Sequence, residues 1–581
     1  MNSFHFLDYV FFILPFLIIF LILFRFSSKN KSTKEYFQAE GSLSWFVAGT
    51  AMVATTFAAD TPLAVTEIIR TQGISGNWIW WYMALGGFVT VFFFSKLWKR
   101  SGASTDLELI QIRYSGKEAE FLRGFKAIII GFFLNLVILG WVNLAMLKII
   151  PVFFPEIQSG YVLVFLLLFG VVYTAIAGLR GISYIDVFQF FLAWFGCILF
   201  AYFAIQLPSI GSLENLKSLL PKDKILFFPN GANGSLPWNH FLILLTVLWW
   251  SSWYPGSEPG GGGYIAQRIL ATKNESAALK GSLWFVIAHY FVRPWPWIIV
   301  ALVSLVLFPN LSEAESGKGF LMVLQEGMPK GMMGLMLSAF LAAYLSTLAT
   351  HLNWGASYLV NDLLRPLVQN RKKDSYYVKL SYIIQLVTAL FSFLLAVYGM
   401  ETIKGAWVFL LEASSGIGFV LIVRWFFWRI SAWTEILALI FSPIFYVVYS
   451  LILKFPFPYS ILYTSISSAI LLILSTFLLP ITNKDVLFTF YETSKPPYFF
   501  WTGFFKKYPI YKQTLYPNQI LLSIFGTLFG LSFVFGGLYS IQCLLWKEGD
   551  IKWGFLFFLI GLVGLIFSVQ KLQKETKPKE S

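Results

Sequence analysis

Charge is scarce in this chain. Asp, Glu, Lys and Arg make up 12% of its 581 residues, half the ~25% of an ordinary soluble domain, and a water-covered globule of this size needs far more. Cysteine is nearly absent: Cys197 and Cys543 lie far apart in apolar runs, which excludes a disulfide framework. The four histidines, His5, His240, His289 and His351, show no metal-ligand spacing. No Gly-x-Ser-x-Gly, His-Glu-x-x-His or Cys-x-x-Cys pattern occurs. The glycine run Pro-Gly-Gly-Gly-Gly-Tyr lacks the Gly-Lys-Ser/Thr that a phosphate loop requires. Nucleophilic, metal-hydrolytic and P-loop catalysis have no residues to carry them, so no enzyme is expected.

What is present is apolar. Hydrophobic residues reach 57%, aromatics 19%, with 62 Phe and 22 Trp, and mean hydropathy is +0.70. At ~20 apolar residues per crossing, this supplies about fifteen transmembrane helices. The runs are continuous rather than alternating, which predicts helices and not a barrel. Spans are expected near 6–26, 43–70, 76–98, 124–150, 160–179, 182–207, 238–258, 281–308, 332–364, 377–399, 405–428, 433–453, 459–480, 518–543 and 553–570. The N-terminal run lacks a basic leader and a small-residue cleavage site, and reads as a retained first span.

The net charge of +14 invites a nucleic-acid reading, but its distribution gives a topology instead. With the N-terminus outside and the C-terminus inside, about 31 of the 43 basic residues fall on the inner side and about 11 on the outer side, with Arg293 inside a span. That asymmetry is the positive-inside bias, and no nucleic-acid partner is implied. The expected location is a plasma membrane of the bacterial inner-membrane type. The longest outer connection (208–237) and the inner loop (481–517) are too short for a separate catalytic domain.

Interruptions in the apolar pattern carry the functional signal, because polar and helix-breaking residues are costly in lipid. The second span holds Ala54, Thr55, Thr56, Asp60, Thr61 and Pro62 near mid-depth. The seventh holds Pro255, Glu258, Pro259 and the glycines Gly260 to Gly263. Continuous helix through that stretch is disfavoured. Counting five helices from each break gives blocks 43–207 and 238–428. Two such blocks, each starting on a broken helix and each with an odd number of spans, form the pattern of inverted-repeat transporters, whose unwound segments meet near the bilayer midplane. In the ninth span, Ala342, Ala343, Ser346 and Thr347 put small residues and hydroxyls on adjoining faces. Two hydroxyls plus carbonyls freed at the second-span break would offer about five neutral oxygens, a donor set suited to a small hard monovalent cation; a packing face with self-bonded hydroxyls is the alternative.

Five ordered landmarks carry a family resemblance: GSLSWFVAG followed by VATTFAAD, then YTAIAGLRGISYIDVFQ, YIAQRILATKNESAALKG, AAYLSTLATHLNWGASYLVNDLLRP and VRWFFWRISAWTEI. Over about residues 40–435 the chain resembles the sodium/solute symporter family, which includes sodium-coupled sugar, proline, pantothenate and sialic acid carriers. The resemblance implies an all-α, polytopic membrane fold with a leucine-transporter-like 5+5 inverted-repeat core and extra N- and C-terminal helices. It divides the chain into an N-terminal helix and basic loop (1–40), the ten-helix core (41–430) and four further helices (431–581). It implies a sodium site formed by the carbonyls of Ala54, Phe57 and Ala343 and the hydroxyls of Ser346 and Thr347, with Asp186 as a nearby carboxylate that does not ligate. Many members have a serine pair where this chain has Ser346 and Thr347.

Two departures argue against an ordinary hexose site. Glycines precede Tyr264 where several sugar-carrying members have polar side chains, and Met83 stands near the position of a third-span acid. Thr56, Asp60, Thr61, Trp81, Glu258 and Tyr264 are the candidate solute contacts; Trp78, Trp80, Trp249 and Trp250 are further aromatic candidates. The expected activity is sodium-driven import of a small organic solute by alternating access, with Na+ as coupling ion and solute and bilayer as partners. Proton coupling through Asp60, Asp186 or Glu258, and a transporter-like receptor or scaffold, are the alternatives. The last four spans are left to membrane packing or to homo-oligomer contacts.

Overall fold

The computed structural model describes residues 4–26, 32–231, 235–254, 260, 262–368, 372–512, 514, 516 and 519–574. Among these, regular structure is helical, and the sole β feature is a parallel bridge between Leu43 and Thr272. The main helical elements are α1 (Phe6–Phe26), α2 (Trp45–Thr56), α3 (Thr61–Gln72), α4 (Ile74–Ser101), α5 (Lys117–Phe153), α6 (Ser159–Ile205), α7 (238–251), α8 (Gly263–Leu270), α9 (Glu275–Leu307), α10 (Met332–Leu367), α11 (Asp374–Tyr398), α12 (Ile403–Ala413), α13 (Gly418–Phe426), α14 (Ala432–Ile452), α15 (Tyr459–Leu478), α16 (Ile520–Trp546) and α17 (Ile551–Lys574).

Eleven of these helices are long and apolar enough to cross a membrane alone, and two bent pairs, α2/α3 and α12/α13, bring the number to 13. α6 has 47 residues, about 70 Å at 1.5 Å per residue and so long enough for two crossings. It turns at Gly178, whose φ of 54° and ψ of −179° are open to glycine and costly for other residues. With α6 counted as two crossings and α7 with α8 as one, the described helices would match the fifteen spans expected from sequence. The two blocks of five are present: α2/α3 to the end of α6, and α7/α8 to α12/α13.

Local chemistry explains the breaks. α2 ends at Phe57, whose N–H bonds back to both Val53 O (2.9 Å) and Ala54 O (3.2 Å), a tightened final turn. Pro62 then sits in the first turn of α3, where its missing N–H costs nothing, although it would break a continuing helix. The two halves bend by 57°. A second bend of 43° separates α12 from α13 at Ser414-Ser415-Gly416-Ile417, where the sequence suggests an unbroken span. Side-chain bonds replace the lost helix ladder there: Ser414 Oγ donates to Leu410 O (2.7 Å) and Gly416 N–H to Ser442 Oγ (2.8 Å).

The first helices of the two repeats lie against each other. Leu43 N–H donates to Ala271 O and Lys273 N–H to Leu43 O, both at 3.0 Å, so the start of α2 sits beside the end of α8, as opposite topology demands. α2 also crosses α9 at glycines: a Cβ on Gly49 would stand 2.4 Å from the Gly281 carbonyl oxygen. Gly49→Ala must push two backbones apart, and should lower stability by about 1–3 kcal/mol. Melting in detergent checks this, with Gly160→Ala, which meets nothing within 4 Å, as the neutral control.

α1 docks on α10 through Asp8, which accepts from Gly334 N–H (3.0 Å), and through Ser338 Oγ donating to Phe11 O (2.9 Å). α16 and α17 form a hairpin with glycine contacts, and a Cβ on Gly526 or Gly530 would strike Phe92 or Phe88 of α4.

Candidate ion and solute site

Thr347 of α10 stands against the break between α2 and α3. Its hydroxyl donates to Thr55 O (2.9 Å) and lies 3.1 Å from Ala343 O in its own helix. One turn away, Ser346 Oγ donates to Asp186 Oδ1 (2.7 Å). Asp186 comes from the second half of α6, and its other oxygen lies 3.6 Å from Arg268 of α8. Asp186 and Arg268 are both fully buried. Arg268 also donates to Thr350 Oγ1 (2.7 Å), which accepts from Thr55 Oγ1 (3.0 Å). Four helices, α2, α6, α8 and α10, therefore converge on two hydroxyls, one carboxylate and the carbonyls of a helix terminus.

The residues expected around sodium are gathered here with one shift of emphasis. Ala343, Ser346, Thr347 and Asp186 meet as above. Ala54 O is engaged by the Phe57 N–H, and the carbonyl that reaches Thr347 is that of Thr55. Phe57 is buried, its ring edge-on to Trp297 at 4.9 Å. The donor set is hard, neutral oxygen with one anion nearby, which fits sodium; no cluster of three or more His, Cys, Asp or Glu suited to a metal occurs among the described residues.

Beside this junction lies a cavity lined by Thr55, Thr56, Asp60, Thr61, Met83, Tyr264, Arg293 and Thr347 and walled by Trp80, Trp141, Tyr254 and Trp407. Of the candidate solute contacts, Thr56, Asp60, Thr61 and Tyr264 line it. Trp81 does not: it is fully buried against Trp78 and Phe227, while its neighbour Trp80 faces the space. Adjacent helical residues point about 100° apart, so a Trp-Trp pair offers one ring to the cavity and one to the core. Trp78, Trp249 and Trp250 are not in the lining either. Glu258 lies outside the described residues.

Sequence reasoning missed His289, Trp141, Tyr254, Lys404 and Trp407, which resemble ordinary span aromatics and end residues until the fold brings them together. His289 Nδ1 sits 2.9 Å from Thr56 Oγ1 and its Nε2 3.3 Å from Arg293 Nη2, so the partner of Arg293 is a histidine of its own helix. On one side the cavity reaches Lys404, which is paired at 3.9 Å with exposed Glu313.

The opposite end is shut by polar contacts. Gly263 N–H donates to Asp106 Oδ2 (3.0 Å), and the Tyr358 hydroxyl donates to the same carboxylate. Trp98 Nε1 donates to Gly260 O. Asp362 pairs with Arg123 at 2.7 Å. Glu435 accepts from Tyr114 (2.7 Å), Lys126 (3.0 Å) and Arg424 (3.3 Å). Glu67, Arg70, Glu412 and Asp362 look solvated from their places near span ends. In the fold Arg70 is buried on Ser304 O (2.6 Å), Glu412 accepts from Ser460, and Asp362 is enclosed. Only Glu67 stays partly exposed, because polar groups of neighbouring helices, Ser304, Ser460 and Arg123, cover the other three.

A ten-helix core of two opposed repeats, with broken helices meeting beside a cavity closed at one end, defines a secondary transporter. The Sodium:solute symporter family model matches residues 36–433, and the chain belongs to that family. A sodium/glucose cotransporter of Vibrio parahaemolyticus is 25% identical over 492 residues, covering 78% of this chain and 87% of the relative. Sodium/glucose cotransporter 1 of Oryctolagus cuniculus is 22% identical, covering 60% of this chain and 56% of the relative. The chain thus spans little more than half the length of that mammalian protein. Among solved structures, a Na+-coupled sialic acid symporter in a substrate-bound outward-open state superposes with a TM-score of 0.68 at 17% identity, covering 83% of this chain and 99% of that one. The protein is a multi-pass membrane symporter of a small solute with sodium as coupling ion, not an enzyme.

Proposed function

We propose that sodium binds at the junction of α2 and α10, held by the hydroxyls of Ser346 and Thr347 and by carbonyls of Ala54, Phe57 and Ala343, with the Thr55 carbonyl beside them. The single observation that carries this is the Thr347 hydroxyl lying between Thr55 O and Ala343 O. A cation there takes the oxygen lone pairs, and the hydroxyl protons turn away. Asp186, held by Ser346 and Arg268, supplies nearby negative charge.

Sodium would then join the two sides of the helix break and fix the cavity floor, so that solute meets a formed site only when the ion is present. With the basic residues inside, the cavity mouth near Lys404 faces outward and the closed end faces inward. The inward sodium gradient and membrane potential, the latter about 2.3 kcal/mol per charge per 100 mV, would drive import by exchange of the open and closed ends. This reading takes the membrane to be a plasma membrane, with 41–430 as the transport core and 431–581 as peripheral helices. Several relatives are named for glucose or myo-inositol, but Met83 in the cavity lining gives a hexose hydroxyl no partner there.

Binding of ²²Na+ to the purified protein tests the site. Saturable binding, displaced by unlabelled Na+ but not by K+, is expected, and it should disappear in a Ser346→Ala/Thr347→Ala double variant. Equal binding by that variant, or uptake driven by a pH gradient without sodium, would sink the reading.

A further inference from the structure

Two buried charges line the central cavity, and the fold leaves part of each unanswered. Asp60, in the break between α2 and α3, is 1% exposed, and its Oδ1 has no hydrogen-bond partner. Arg293 of α9 is 2% exposed. Its Nε donates to His289 O (3.2 Å) and its Nη2 faces His289 Nε2 (3.3 Å), while Nη1 has no partner. No hydrogen bond or salt bridge joins Asp60 to Arg293, although their charges lie close enough to interact. The Trp407 indole N–H lies in the same lining, beside the Asp60 carboxylate.

Buried charges are kept only where something pairs with them. A carboxylate and a guanidinium facing one small space, each with an open valence, call for a ligand bearing both complements. We infer that the transported solute is a small zwitterion of the amino-acid type, its ammonium on Asp60 and its carboxylate on Arg293. The inference rests on the symport reading above and deepens it by naming a solute class.

Three features narrow the class. An unfilled carboxylate oxygen needs a hydrogen-bond donor, which favours an N–H-bearing ammonium over a quaternary one. The rest of the wall is largely apolar, part aliphatic and part aromatic, with Trp141 and Tyr254 stacked at 6.3 Å and Trp80 and Trp407 facing the space. That lining suits an apolar body better than a ring of hydroxyls. Finally, Arg293 is aimed by a relay from the helix break: Thr56 Oγ1 contacts His289 Nδ1, and His289 Nε2 contacts Arg293. Ordering the break around sodium thereby orders the anion-binding arm, which couples ion to solute through the carboxylate end.

The test measures thermal shift in detergent and sodium-gradient uptake into proteoliposomes. The zwitterions are L-phenylalanine, L-leucine and L-proline. The one-charge analogues are 2-phenylethylamine with 3-phenylpropanoate, isopentylamine with 4-methylpentanoate, and pyrrolidine with cyclopentanecarboxylate; the neutral probes are D-glucose and myo-inositol. At least one zwitterion should stabilise the protein in NaCl and enter the vesicles, with both of its one-charge analogues binding at least tenfold more weakly. Asp60→Asn and Arg293→Lys should each weaken that zwitterion at least tenfold while keeping ²²Na+ binding, which also shows that the variants are folded. The inference is overturned if a neutral sugar binds and the zwitterions are silent, if one-charge analogues bind as well, or if both variants retain full zwitterion affinity. It is equally overturned if no zwitterion acts although ²²Na+ still binds. Loss of ²²Na+ binding by the unaltered protein would instead strike the symport site itself.

Discussion

Thr347→Ala is expected to raise the sodium concentration for half-maximal uptake by tenfold or more. Its hydroxyl oxygen is the contact between α10 and the Thr55 carbonyl at the end of α2. A hydrogen bond or ligand to a charged group contributes about 1.5–3 kcal/mol, and each 1.4 kcal/mol is a factor of about ten in affinity. Ser346→Ala should act in the same direction for a second reason. It deprives buried Asp186 Oδ1 of its donor, and an unsatisfied buried acceptor costs about 1–3 kcal/mol. Thr347→Ser keeps the oxygen and should restore near-normal sodium dependence. Sodium titration of uptake for the three variants decides the matter, and unchanged half-saturation in both alanine variants would count against the site.

The second large effect is expected at the closed end. Glu435 is the common carboxylate for Lys126 and Arg424, and all three are buried. Removing one partner of a buried ionic group costs about 3–5 kcal/mol, because the remaining charges stay desolvated. Glu435→Gln leaves two cations facing a neutral amide, which should spring apart the contact of α5, α13 and α14. Hydrogen exchange should rise across 105–114, 124–128 and 424–436, and uptake should fall at least tenfold as the two ends cease to be mutually exclusive. Adding Lys126→Met should recover part of the loss, since it leaves one stranded cation, Arg424, in place of two. Unchanged exchange in those segments would show that the cluster does not hold the end shut.

The all-helical membrane class, the two repeats and the first break were legible in the sequence, because each rests on local chemistry: apolar run length, Pro62 after a Thr-Thr stretch, and glycines before Tyr264. The bend at Ser414–Ile417 was not. Serines and one glycine are ordinary in membrane helices, and the bend is stabilised by Ser442 from α14, a partner distant in sequence. The same holds at the site. Ser346, Thr347 and Asp186 could be named from their own segments, whereas Arg268 and His289 matter only through what they touch across helices. Trp80 and Trp81 show the finer limit: adjacent identical residues differ by helical phase, and phase at a helix start depends on where the preceding turn ends.

The parallel bridge from Leu43 to residues 271–273 has a mechanical consequence. Its two backbone hydrogen bonds are individually modest, about 0.5–1.5 kcal/mol each, and they sit at the end of the bundle away from the cavity mouth. Sliding α2 along α8 would break both bonds at once, whereas tilting one helix against the other breaks neither. Such a bridge would act as a pivot pin, holding the axial register of the two segments while resisting tilt much less than sliding.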